Sequence, residues 1–158
     1  MKGPRPARRF DSPEQEVFLN LWRTYDRLRM FEDELFGEFD LTAQQYNALR
    51  LLVAARPGKL KTLQVASRLV SRAPDITRLL DKLVARGLVE RERRAENRRE
   101  VHIGITDAGL ALLEELSQRV RKCHQRQLGH LQVEEMRTLI DLLKKARQPH
   151  ELENSNWR

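Results

Sequence analysis

The stretch RAPDITRLLDKLVARGLVERERRAENRREVHIGITDAG, residues 72–109, constrains the fold of this 158-residue chain more than any other. Across residues 74–85 the apolar side chains Ile76, Leu79, Leu80, Leu83 and Val84 recur every three or four positions. That interval stacks side chains on one face of an α-helix, and Asp75, Arg78, Asp81 and Lys82 take the opposite face. Pro74 suits a first helical turn, where its missing N–H has no partner to lose, and Gly87 supplies the left-handed residue that commonly closes a helix. Beyond Gly87 the apolar period falls to two. Leu88 and Val89 lead into charged residues, after which Val101, Ile103 and Ile105 alternate with His102 and Gly104. This predicts a half-buried, two-stranded hairpin with His102 as a polar outward position. The hairpin tip, residues 93–99, has no apolar side chain larger than that of Ala95 and carries arginines at 93, 94, 98 and 99, so it projects into solvent or onto a polyanion.

Most of the net charge of +7 sits in the same place. Between Lys61 and Val101 the cations are Lys61, Lys82 and arginines 68, 72, 78, 86, 91, 93, 94, 98 and 99; these eleven face six anions, which leaves five of the seven net charges. A phosphate-binding surface has this footprint, and so does a merely solvated face; charge alone does not choose between them. The aromatic residues narrow the choice of polyanion. Phe10, Phe18, Trp22, Tyr25, Phe31, Phe36, Phe39 and Tyr46 all precede residue 47, and the ninth aromatic is Trp157 at the tail, so the basic segment has none. Modules for single strands or RNA loops stack bases on aromatic rings, and their absence here favours a duplex read through its grooves.

The rest of the chain is consistent with one domain, long enough for a core of its own. Residues 12–39 read as a long helix with Ser12 as cap, Pro13 in the first turn and Glu14 and Glu16 near the positive end of the dipole. Its apolar stripe, Phe18, Leu21, Trp22, Tyr25, Leu28, Phe31, Leu35 and Phe36, runs further than a small core can cover, so part of it is expected to meet a partner. Thr42 caps a second helix with Tyr46, Leu49, Leu52 and Val53 inward, ended by the turn Arg56-Pro57-Gly58. A short third helix, residues 62–69, with Leu63, Val65, Ala66 and Leu69 as its apolar set, joins the helix of residues 74–85 by a tight connection, as in a helix-turn-helix. Thr106 and Asp107 open a further helix through Leu110, Leu113, Leu116 and Val120, and another begins near Leu131 with Met136, Leu139, Ile140 and Leu143 in phase, stopping before Pro149. Neither has a covering layer in its own chain other than the first helix, so a second subunit is the economical cover.

No apolar run approaches the roughly 20 residues of a bilayer crossing, and the basic start (Lys2, Arg5, Arg8, Arg9) leads into no signal-peptide segment, so a soluble, cytoplasmic protein is expected. The single cysteine, Cys123, excludes an internal disulfide framework. It reads as a partly buried small side chain on a helix, with pairing between subunits or oxidation sensing as the other readings. His124 and His130 beside Cys123 lack the i, i+4 spacing that puts two ligands on one turn, and neither a metal nor a cofactor is expected. There is no Gly-rich phosphate loop, and Glu32, Asp33 and Glu34 read as a solvated helix face, so the chain is not expected to be an enzyme.

With these residues in hand, the chain resembles the MarR family of winged helix-turn-helix transcriptional regulators over nearly its whole length. The resemblance is carried by Ile76-Thr77-Arg78-Leu79-Leu80-Asp81-Lys82-Leu83, by Arg86-Gly87-Leu88-Val89, and by Asn97-Arg98-Arg99 leading to Val101-x-Ile103-x-Ile105-Thr106-x-x-Gly109. The family usually has Asp where this chain has Asn97, and often Gly and Ser where it has Val70 and Arg72; an amide still hydrogen-bonds but cannot form an ion pair. The resemblance implies a mainly α-helical single domain over residues 1–158. In it, residues 40–105 form a winged helix-turn-helix lobe with a small β-hairpin wing, and residues 12–39 and 106–148 are dimerisation helices. It also implies a repressor acting as a homodimer on a palindromic operator in double-stranded DNA. Contacts are then expected from Arg72, Ala73, Pro74, Asp75, Thr77, Arg78 and Lys82 around the recognition helix, and from Arg98 and Arg99 at the wing tip. The family often binds small anionic aromatic compounds between the dimer helices and the DNA-binding lobe. Trp22, Tyr25, Tyr46 and Arg50 are placed to line such a cleft, or, as aromatics of a core, simply to pack. A non-enzymatic adaptor binding proteins through its amphipathic helices is the alternative; it leaves the arginine-rich hairpin without a role.

Overall fold

A computed structural model describes residues 9–151; Lys2, Arg5, Arg8 and Trp157 lie outside the described residues. Helix α1 (Pro13–Gly37) starts where expected, with the Ser12 hydroxyl accepting from the Gln15 N–H at 3.1 Å. It stops at Gly37, short of Phe39, because the Phe39 and Leu41 amides fold back onto the Phe36 carbonyl and Asp40 takes a left-handed φ of 52°. Helix α2 (Ala43–Ala54) opens with a reciprocal box: the Thr42 hydroxyl accepts from the Gln45 N–H, and the Gln45 side-chain oxygen accepts from the Thr42 N–H.

The order continues with β1 (Leu60–Lys61), α3 (Thr62–Arg68), α4 (Ile76–Ala85), β2 (Val89–Arg93), β3 (Val101–Ile105), α5 (Asp107–Leu128), α6 (Val133–Arg147) and a 3₁₀ turn at Gln148–His150. Three of these differ from the sequence reading. The sheet has three antiparallel strands in the order β1-β3-β2, not two; β1 is only two residues long, too short to show a period. Helix α4 begins at Ile76 rather than Pro74, because the Asp75 carboxylate accepts from the Arg78 N–H at 2.9 Å and so caps the helix. Asp75 therefore belongs to the helix end, not to its exposed face. In α3 only Val65 faces the core, with Leu69 just beyond it, while Leu63 is 79% exposed: two turns of helix present one narrow face.

The core lies where α2, α3, α4 and the sheet meet, and Leu49, Leu52, Val65, Leu80, Leu83, Val89, Ile103 and Leu116 are its deepest side chains. Ile103 pairs with Leu60 on one side and Arg91 on the other, which puts His102 on the sheet's other face, between Lys61 and Glu92. His102 is nonetheless only 6% exposed, so the outward position expected for it is a covered one. The reason is the added strand: β1 brings Lys61 alongside, and the Lys59 side chain lies over Gly104.

Helix α5 is covered within its own chain more fully than expected, packing on both α1 and α2 with Leu113, Leu116, Val120 and Cys123 buried. Helix α6 buries no residue at all, and the first half of α1 leaves Val17, Phe18, Trp22 and Tyr25 more than half exposed.

The corner between sheet and α5 explains Thr106-x-x-Gly109. The Thr106 hydroxyl donates to the Gly87 carbonyl at 2.6 Å and accepts from the Gly109 N–H at 3.1 Å, drawing the helix start onto the strand. A Cβ at Gly109 would overlap the Leu88 carbonyl oxygen and stand 2.6 Å from Ile105 Cγ1. Gly109→Ala is therefore expected to lower stability by about 1 to 3 kcal/mol. Gly37→Ala, where a Cβ meets nothing within 4 Å, should be neutral or slightly stabilising. Urea denaturation of the two variants beside the parent checks the contrast.

Candidate nucleic-acid interface

Helix α4 is pinned at both ends. At its start, Asn47 Oδ1 accepts from the Val70 N–H at 2.8 Å, and Gln44 Nε2 donates to Ser71 Oγ at 3.3 Å and to the Arg72 carbonyl at 3.2 Å. At its end, the Arg86 guanidinium donates to the Asp40 and Phe39 carbonyls at 2.7 and 3.0 Å. Arg86, counted by sequence among the surface cations, thus holds α4 to the connection between α1 and α2. With Leu79, Leu80 and Leu83 buried, Thr77, Arg78, Asp81 and Lys82 face out, and Asp81 pairs with Arg91 of β2 at 2.5 Å. Arg72, Pro74 and Asp75 are exposed at the helix entry and Ala73 is half-buried there.

The acids of the basic segment are largely committed. Lys59 Nζ reaches Glu90 at 2.8 Å and Glu92 at 2.6 Å, and Lys61 Nζ reaches Glu100 at 2.7 Å. These hydrogen bonds hold the Glu92 and Glu100 carboxyls below the usual carboxylate range and push the Lys59 ammonium up. Asp75 caps α4 and Asp81 holds Arg91, so Glu96 is the one acid of this segment without a partner among the described residues. Arg68, Arg72, Arg78, Lys82, Arg93, Arg94, Arg98 and Arg99 form no ion pair among the described residues. The positive field of this surface is therefore left for an outside anion.

The wing tip is a turn organised by Asn97: its N–H donates to the Arg94 carbonyl at 3.2 Å, its carbonyl accepts from the Glu100 N–H at 3.1 Å, and its Oδ1 accepts from the Arg99 N–H at 3.2 Å. The amide oxygen thus does locally what a carboxylate oxygen would do there. Arg98 and Arg99 stand exposed on this turn.

Between α1 and the lobe lies a cleft of about 660 Å³. Tyr25, Tyr46 and Arg50 line it, as the sequence reading placed them; Trp22, 63% exposed and 6.2 Å from Phe18 between ring centroids, does not. Tyr46 is half-buried and stacked on Phe36 at 4.7 Å, and burial pushes its phenol up. Sequence reasoning missed Arg29, Gln44, Asn47 and Ser71, which also line the cleft. No local signal marks Gln44 or Asn47, since their partners lie more than 20 residues further along the chain.

Residues 41–101 match the family model described as MarR family. The multiple antibiotic resistance protein MarR of Escherichia coli (strain K12) is 32% identical over 134 residues, 80% of this chain and 90% of that protein. A crystal structure of a mutant of MarR from E. coli complexed with operator DNA has a TM-score of 0.74 at 27% identity, covering 83% of this chain and 93% of that one. A MarR transcription factor from Planctomyces limnophilus is 56% identical with a TM-score of 0.69, over 87% of this chain and 99% of that chain. The HTH-type transcriptional repressor YetL of Bacillus subtilis (strain 168) is 30% identical over 105 residues, 66% of this chain and 63% of that protein.

No group of three or more His, Cys, Asp or Glu among the described residues is arranged to hold a metal ion, and His124 Nδ1 is engaged by Gln127 Oε1 at 2.9 Å. Cys123 is 6% exposed on α5; burial pushes its thiol up, Glu32 and Glu34 add to the rise and Arg126 opposes it. A buried thiol held protonated is a poor nucleophile. Alkylation of Cys123 by iodoacetamide at pH 8 is expected to run at least about tenfold slower in the native protein than in urea. Equal rates would show that the thiol is open and reactive.

Proposed function

The chain belongs to the MarR family of DNA-binding transcriptional regulators, and on that footing we propose that it is a repressor that binds a palindromic operator as a homodimer and is released by a small anionic aromatic compound. The observation that carries the DNA-reading part is the set of unpaired arginines on α4 and the wing, next to acids already held by lysines. Arg78 and Lys82, with Thr77 between the helix entry and Arg78, enter a major groove; Arg72 and the backbone at Ala73 and Pro74 approach phosphate; Arg98 and Arg99 reach the adjacent minor groove. Asp75 contributes by capping α4. The repressor role is supported by that of the B. subtilis relative, YetL.

Two uncovered surfaces support the dimer: α6, which buries nothing, and the exposed stripe of α1. The cleft supports the effector. Tyr25 and Tyr46 offer ring faces, and Arg50, which forms no ion pair among the described residues, offers a cation, whereas Arg29 is taken by Asp33 at 3.0 Å. Gln44, Asn47 and Ser71 belong both to the cleft wall and to the ties that hold the start of α4, so an occupant there would act on the recognition helix.

Duplexes selected by the protein from a random pool test the reading directly: a palindrome with half-site centres about 34 Å apart is expected. On that duplex Arg78→Ala should cost about 1 to 3 kcal/mol and relax preference at one base pair in each half-site. Arg99→Ala should weaken all duplexes together and reduce the slope of log affinity against log salt by roughly one unit for each phosphate it no longer neutralises. Unchanged affinity and slope in Arg99→Ala would remove the wing from the interface. Deleting residues 131–158 should give monomers or aggregates with much weaker operator binding; sedimentation of the truncated protein as a stable dimer would rule out α6 as its dimer element.

A further inference from the structure

We propose that His102 is a positioning residue for the wing, whose protonated ring holds Glu100, and through it the arginine turn, so that duplex binding tightens as pH falls. The proposal rests on the reading of the wing as a DNA contact. His102 is 6% exposed, and neither its Nδ1 nor its Nε2 has a hydrogen-bond partner among the described residues. An unpaired polar ring in a covered site calls for a partner.

That partner is already in place. Glu100 Oε2 stands 3.5 Å from His102 Nε2, while the other carboxylate oxygen is held by Lys61 Nζ at 2.7 Å. The remaining charged groups around the ring are Glu92, its neighbour on β2, with Arg94 beyond it, and Lys59, whose ammonium bridges Glu90 and Glu92. Helices α2 and α3 also pack on β3; their ionisable side chains are Tyr46 and Arg50, which line the cleft, and Arg68, and none of them pairs with His102. A ring protonated on both nitrogens donates from Nε2 to Glu100 once the gap closes by about half an ångström. Glu100 is then gripped by Lys61 and His102 together. Its own N–H closes the wing turn onto Asn97, so a fixed Glu100 fixes the turn that presents Arg98 and Arg99.

The sign follows from linkage. Because the charged ring is the form that holds Glu100, binding takes up a proton and affinity falls as pH rises. The test is fluorescence anisotropy with a duplex selected by the protein, from pH 5.5 to 8.5 at fixed ionic strength. The parent should lose affinity with rising pH by as much as about tenfold per pH unit for each proton taken up. His102→Gln should be nearly flat and stay at the parent's high-pH affinity; Glu100→Gln, which keeps an acceptor and loses the charge, should be flatter than the parent. If His102→Gln keeps the parent's pH slope, the effect belongs to His124, His130 or His150 and the proposal is overturned. Should His102→Gln not fold, the His102 ring signal in NMR spectra of the parent decides: its titration midpoint must rise when duplex is added, and an unmoved midpoint overturns the proposal. A flat parent profile together with a salt slope that still responds to Arg99→Ala defeats the His102 proposal alone. A salt slope indifferent to Arg99 defeats the wing reading and this proposal with it.

Discussion

The burial of one face of α4 is the constraint on which the rest of the lobe depends. Leu80 and Leu83 have no exposed surface, and they sit among Leu49, Leu52, Val65 and Ile103, which are buried to the same degree. Each such leucine contributes about 1.5 to 3 kcal/mol of burial. At ten residues, α4 is too short to persist as an isolated helix, so this packing and its terminal ties are what make it a helix. Because side chains advance by about 100° per residue, seating Leu79, Leu80 and Leu83 inward leaves no choice about Thr77, Arg78, Asp81 and Lys82. The core thus aims this exposed face, and Asn47, Gln44 and Arg86 tie the ends of α4 to the rest of the molecule.

Charge is sorted on the same frame. Two lysines at the edge strand, 59 and 61, take three of the carboxylates that alternate with arginines along the wing. Exposed pairs of this kind contribute little to stability, typically about 0 to 1 kcal/mol. Their consequence is one of arrangement: lysine, a flexible point charge, neutralises the acids, and Arg93, Arg94, Arg98 and Arg99, with their planar forks of donors, form no ion pair among the described residues. Had the wing's glutamates paired with its own arginines, the same composition would have given a surface with little net attraction for phosphate. The short strand β1 helps prevent this: it sets Lys61 beside β3, and Lys59 directly precedes it.

Features set by neighbouring residues were legible from the sequence, and features set by distant ones were not. Ser12, Thr42 and Thr106 as caps, the apolar periods of α2, α4 and α5 and Gly87 at φ 69° are all decided within a few residues. The two-residue β1 has no period to read, and without it His102 had to look solvent-facing. Asp75 looked like one more charge on an exposed face because the end of α4 was placed at the proline, one residue too early for the true cap. Leu63 looked like core because a short helix shows too few turns to tell its inner face from its outer one. Three of the four cleft residues were recognisable as polar or aromatic groups at the middle of α1 and on α2. Trp22 was not distinguishable from Tyr25 by type, and only the path of α1 past the lobe separates them.

Helix α1 joins the two halves of this logic. Its C-terminal turn, with Leu35 and Phe36, is part of the core, its middle carries Tyr25 and Arg29 along the cleft, and its first half holds the exposed apolar stripe. With 25 residues it is about 37 Å long, close to one turn of B-form DNA. In the proposed dimer, a rod of that length, anchored in the lobe at one end and packed on a second copy at the other, would have the reach to hold two α4 helices at a fixed separation. The cleft lies where the rod leaves the lobe, against the residues that tie down the start of α4. In the dimer proposed above, a group wedged there would bear on the angle between rod and lobe, and through it on the distance between the two α4 helices.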